Sequence, residues 1–215
     1  MLTRERTTTG LLREYRSFAD LLATLDMSMW ARATRCAGWQ VRDVAAHVVG
    51  QAIDTVTGAS GTRSAEEQAA SLRAESPLSL AAQMREIIQS AARLVAAFDD
   101  DIWARPSPLP GLTVGRAIHA LLMDAYVHAD DIRDAIKVPS DFGEGLSDSL
   151  DFVLDVLSHD PITAADSCLV RLLAIPAAAF ASDGGIDGHE FLLAATGRRD
   201  PRMLGLPETV NFFRA

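Results

Sequence analysis

Apolar residues recur at helical spacing through the first two-thirds of the chain. Leu11, Leu12, Tyr15, Phe18, Leu21, Leu22 and Leu25 mark one face of a helix expected over Leu11–Leu25. Val41, Val44, Ala45, Val48, Ala52 and Val56 mark a second, over Val41–Thr57. Ala81, Met84, Ile87, Ile88, Ala91, Leu94 and Val95 mark a third, from Pro77 or Ser79 to around Asp99. Its proline stands where a helix needs no amide hydrogen. Val114, Ala117, Leu121, Ala125 and Ile132 mark a fourth, from Val114 to around Lys137, with Thr113 as its cap. The connections are polar or proline-rich: Gly58 to Ser76 reads as a loop with at most a helical turn, and DDDIWARPSPLPGL cannot continue a helix. A fifth helix is expected over Leu146–Ser158.

After Pro161 the pattern changes. Cys168 to Leu173 has strand character, Asp183-Gly184-Gly185 is turn chemistry, and His189 to Gly197 reads as a short helix closed by its glycine. PETVNFFRA adds a strand or a turn of helix. The expected fold is mainly α: a four-helix bundle over residues 1–160 and a small α+β domain over 161–215. No internal repeat is evident.

Composition narrows the function. With 215 residues the chain can bury one full core and an appendage. No apolar run approaches the roughly 20 residues of a membrane span, and the N-terminus lacks a secretory pattern, so a cytoplasmic protein is expected. A net charge of −9 argues against nucleic acid as a partner, because phosphate binding needs a basic surface. It does not exclude a small anion held by one arginine. The two cysteines, Cys36 and Cys168, form neither a disulfide framework nor a CxxC zinc site and read as reduced, buried thiols. The oligomeric state is left open, a homodimer included.

One row breaks the apolar pattern. Ala117, Leu121, Asp124, His128 and Asp131 follow one another at steps of four, three, four and three, so they stack on one side of the fourth helix. Asp124 and His128 therefore stand in line with residues that should be buried, where an unpartnered carboxylate or imidazole costs several kcal/mol. A paired charge would compensate. So would a divalent metal, since ligands at i and i+4 can reach one ion and zinc accepts nitrogen and oxygen together. His47, between Val44 and Val48 on the second helix, can supply a third ligand across the bundle and leave a position open. By spacing alone such a pair is more often a surface hydrogen bond, and such a histidine more often a satisfied core residue than a ligand.

Two of these segments resemble a known family. TRCAGWQVRDVAAHVVG, Thr34 to Gly50, is similar to the first signature of the mycothiol-dependent maleylpyruvate isomerase family, a Cys-x-Gly-Trp turn leading into a histidine-bearing helix. DAYVHADDIRDAI, Asp124 to Ile136, is similar to the second, an acid and a histidine four apart followed by Asp-Ile-Arg. The likeness covers most of residues 10–140 and extends to the wider DinB-like superfamily of metal-binding four-helix bundles. It implies a divalent metal, most commonly zinc, held by His47, Asp124 and His128. The family's acidic ligand is a glutamate, so Asp124 would draw the ion closer to its helix. Asp131 becomes a candidate partner for the imidazole nitrogen of His128 that faces away from the metal. Its alternative role is a surface pair with Arg133 or Lys137. Gln40 replaces the family's usual Thr or Ser at the helix start.

The tail resembles the family's C-terminal domain through FLLAATGRRD, Phe191 to Asp200. The family's catalytic arginine points to Arg198, with Arg199 and Arg171 as further candidates for holding a substrate carboxylate. The resemblance implies a metal- and mycothiol-dependent isomerase or S-transferase acting on a small electrophilic or unsaturated acid. The alternatives are a non-catalytic metal- or ligand-binding bundle, and a metal-free bundle in which Asp124 and His128 form a buried pair.

Overall fold

A computed structural model describes residues 2–159 and 186–213. The chain divides into two compact units, Thr3–Ser140 and Asp141–Ala215, the second joined by Met1–Leu2. The division falls before the helix Glu144–His159, which the expected boundary at 160 had assigned to the bundle.

The first unit is built from four long helices. Helix α1 is Arg4–Ala23, α3 is Val41–Thr57, α5 is Pro77–Ala96 and α7 is Val114–Ile136. Helix α1 begins seven residues before the expected Leu11, because Thr3 caps it and its side chain accepts the Arg6 amide. Its first turns are polar and carry no apolar stripe. Thr113 and Ser76 cap α7 and α5 in the same way, each accepting an amide three residues on. At the start of α3 the Asp43 carboxylate accepts the Gln40 amide at 2.9 Å, so this end is capped from inside the helix.

Short helices fill the connections: α2, Met27–Trp30; α4, Ala65–Leu72; α6, Asp100–Ala104. Helix α4 lies where a loop was expected. Its reciprocal cap joins Ser64 and Glu67, with the Glu67 carboxylate accepting the Ser64 amide at 2.7 Å.

Helix α1 packs against α5 and α7, and α3 packs against the same two, so α3 and α7 are neighbours. Leu11, Phe18, Leu22, Val44, Val48, Leu80, Met84, Leu122 and Ile132 fill the space between them and are almost wholly buried. Each such large side chain stabilises the bundle by about 1.5–3 kcal/mol relative to an exposed one.

The loops before α3 and α7 repeat one device that the sequence did not make evident. An antiparallel bridge joins Ala33 to Gln40, and another joins Pro106 to Thr113. Each encloses a glycine with positive φ, Gly38 at 80° and Gly111 at 77°, a conformation that favours glycine. The first amide of each helix is then bonded back to the incoming chain, Val41 to Arg32 and Val114 to Arg105.

At Gly115, in the first turn of α7, the Trp103 indole occupies the place of a Cβ. Gly115→Ala is expected to lower stability by roughly 1–3 kcal/mol through displacement of the indole. Chemical denaturation checks this: unchanged stability would mean that Trp103 moves aside freely.

In the second unit Glu144–His159 packs against the helix Gly188–Ala195. Short 3-10 turns follow at Pro201–Leu204 and Glu208–Val210, the second of them a helical turn within PETVNFFRA. There is no strand among the described residues. The strand expected over Cys168 to Leu173 and the turn at Asp183 to Gly185 lie outside them. No helix among the described residues is long and apolar enough to cross a membrane.

Candidate metal centre

The packing of α3 against α7 brings His47, Asp124 and His128 together. His47 and His128 are buried and Asp124 is half-buried. His47 Nε2 lies 3.7 Å from Asp124 Oδ2, and His128 Nε2 lies 3.5 Å from Asp124 Oδ1. One ligand atom from each residue falls within 4.8 Å of the other two. The imidazoles stand edge to face, with centroids 5.1 Å apart and planes at 84°.

These separations are too long for hydrogen bonds. They suit a shared ion, because tetrahedral zinc ligands at about 2.0–2.1 Å are roughly 3.4 Å from one another. Asp124 Oδ2 is buried and has no hydrogen-bond partner among the described residues, so it remains available to a cation shared with the two imidazoles. Two imidazoles and a carboxylate are a donor set that zinc accepts, so the residues fit the ion.

A second group of side chains fixes His128. Its Nδ1 lies 3.0 Å from Asp131 Oδ2, and Asp131 is fully buried. Arg35 donates from Nε to Asp131 Oδ1 at 3.2 Å and from Nη2 to Asp130 Oδ2 at 2.6 Å. The Cys36 thiol donates to Asp131 Oδ2 at 3.2 Å. Of the two roles weighed for Asp131, the imidazole contact is the one present. Lys137 pairs with Asp134, and Arg133 donates to Ser17. Sequence reasoning passed over Arg35 and Asp130 and treated Cys36 as a plain buried thiol. The available signal was the position of Arg35 and Cys36 inside the turn that precedes the histidine helix.

Cys36, His128 and Asp131 also converge closely enough to hold an ion. That set is disfavoured electrostatically, because the Arg35 guanidinium already sits on Asp131 and would repel a cation there. Using Nδ1 for Asp131 leaves His128 Nε2 directed at Asp124.

Burial alone would push the His128 imidazole down. The Asp124 charge and the hydrogen bonds to Asp131 and Cys36 outweigh it and hold the group up at about 10 when no metal is bound. Metal entry must therefore displace a proton. Zinc uptake at pH 8 is expected to release about one proton per ion, measured by calorimetry in buffers of different ionisation enthalpy. The same shift predicts a stability trend. The contribution of His128 to the metal-free fold is complete below 6.5, its ordinary value, and is lost as pH rises toward about 10. Metal-free protein should therefore lose stability across that window. Buffer-independent zinc binding together with a flat stability profile would contradict the charge state.

Around the triad, the Trp39 ring meets His47 edge-on at 5.4 Å, and its indole N–H donates to Glu66 at 3.1 Å. Trp39 thus packs at the rim of the site as well as at the start of α3. Burial and the Asp124 charge together push the phenol of Tyr15 up.

A cavity of about 390 Å³ opens beside His47, between α3, α5, α7 and the loops that precede α4 and α7. Arg198 and Arg199 belong to the second unit, where Arg198 Nη1 donates to the Thr196 carbonyl at 2.9 Å and Arg199 Nε pairs with Glu190 at 2.5 Å. Arg171 lies outside the described residues.

Comparison with known proteins bears on the same helices. A comparison with curated proteins gives no match. Among solved structures, the fold is similar to that of the crystal structure of a histidine-to-alanine mutant of the mycothiol-dependent maleylpyruvate isomerase. The TM-score is 0.56 at 16% identity, over 73% of this chain and 70% of that one. Residues 11–133, which reach into all four bundle helices and include His47, Asp124 and His128, match the family model of the mycothiol maleylpyruvate isomerase N-terminal domain. The match covers more than half of the chain, which therefore belongs to the mycothiol maleylpyruvate isomerase N-terminal domain family.

Proposed function

We propose that this protein is a metal-dependent enzyme that uses a low-molecular-weight thiol, mycothiol, to isomerise or thiolate a small electrophilic or unsaturated acid. His47, Asp124 and His128 would hold a divalent ion, zinc by the chemistry of the donors. The observation that carries this reading is the meeting of two buried imidazoles around a carboxylate whose Oδ2 has no hydrogen-bond partner among the described residues. When bound, such an ion favours the thiolate form of a thiol at neutral pH.

The chain's own residues supply the rest. Asp131 accepts the Nδ1 proton of a neutral His128 and so keeps Nε2 available as a ligand. Arg35 holds Asp131 in its charged form and ties the turn before α3 to the C-terminal half of α7. The Trp39 ring packs edge-on against His47, and His47 is buried, where electrostatic interactions are stronger than in water. The cavity beside His47 offers space for a reactant. No protein thiol is needed as the nucleophile, in keeping with the hydrogen bond from Cys36 to Asp131.

The test is a thiol-transfer assay with zinc-loaded protein, mycothiol and a set of unsaturated acids. Turnover that requires both metal and thiol is expected. Stoichiometric metal with no turnover on any acceptor would favour a binding module instead.

A further inference from the structure

The cavity beside His47 has a chemistry of its own. Phe98, Leu109, Val114, Ile118 and Leu121 form much of its wall. The basic side chain of its lining other than His47 is Arg63, and that guanidinium is committed to Asp54. Nε lies 3.0 and 3.1 Å from the two Asp54 oxygens, and Nη2 lies 2.5 Å from Oδ1. Gln68 donates to Asp54 Oδ2 at 2.8 Å, and Arg63 Nη1 donates to Ser71. Asp54 is buried, so the charge of Arg63 is balanced where it stands. An anionic group entering the cavity would lose its hydration without gaining a cation, which is unfavourable. A hydrocarbon or aromatic group would instead bury apolar surface against the wall.

We propose that the cavity takes the uncharged, apolar arm of the acceptor, with the reactive end at His47. The substrate class is thus an electrophile with a bulky hydrocarbon or aryl tail rather than a compact dianion. This sharpens the proposed function and rests on it for the placement of the reactive end. The selectivity of the cavity rests on its lining alone.

Binding of trans-cinnamate and fumarate tests the proposal. They share a trans-propenoate head and differ in whether the far end carries a phenyl ring or a second carboxylate. Calorimetric titrations of each would be run on metal-free and on zinc-loaded protein. Cinnamate is expected to bind roughly tenfold or more tightly than fumarate in both forms. Ala117→Trp, placed in the cavity lining, should remove that preference while metal content stays at the wild-type level. Fumarate binding as tightly as cinnamate, or no measurable cinnamate binding, would overturn the proposal, and both results come from the wild-type chain. So would a cinnamate preference that survives in folded Ala117→Trp. Loss of zinc binding with the cinnamate preference intact would instead count against the metal reading and leave the cavity's selectivity standing.

Discussion

His47→Ala and His128→Ala are each expected to abolish metal binding. Each removes one of the three proposed ligands and leaves two, too few to compete with water for zinc in a site that should hold its ion through three. Wild-type protein should bind about one zinc per chain, and either variant close to none. The loss has a thermodynamic reading. Zinc at a hundredfold excess over its dissociation constant stabilises the native chain by about 2.7 kcal/mol. Neither variant should show that gain in a thermal or denaturant melt. Both histidines are buried in the α3–α7 interface, so helicity should be recorded alongside. Full occupancy in either folded variant would exclude the assigned triad.

Asp131→Asn carries the second large effect. Asp131 is fully buried and its Oδ2 lies 3.0 Å from His128 Nδ1. The substitution removes the charge that favours a donating Nδ1 and leaves Arg35 beside a neutral amide. Zinc affinity should fall roughly 10- to 100-fold, measured by competition with a chromophoric chelator. A purely structural aspartate would behave otherwise: stability would fall and affinity would not. Arg35→Met separates the two roles further. It should weaken zinc binding less than Asp131→Asn does, because it leaves the carboxylate on the imidazole.

The elements set by local rules were legible in the sequence. Helix α3 has the bounds its apolar spacing predicts, and α7 ends one residue before the expected Lys137. The row from Ala117 to Asp131 marked Asp124 and His128 as misplaced on an inward face. Periodicity gives the direction of a side chain and not its partner: it put His47 at the inward edge of its helix, and the motif resemblance tied it to Asp124 and His128. Arg35 was missed for the same reason: it meets Asp130 and Asp131 across separations of 95 and 96 residues, which no local pattern encodes. Helix α4 was lost for a different reason. Its sequence, AEEQAASL, is too polar for a clear stripe, although the Ser64–Glu67 cap could have been read. The cavity beside His47 was not legible at all, since it is a gap left by several elements.

X-ray absorption at the zinc edge, on protein loaded with one equivalent of zinc and free of added thiol, tests the central claim most directly. The account predicts a first shell of nitrogen and oxygen at about 2.0–2.1 Å, with the multiple scattering of two imidazoles and no sulfur. A sulfur shell near 2.3 Å would place the ion on Cys36, His128 and Asp131 and contradict the account, as would the absence of bound zinc.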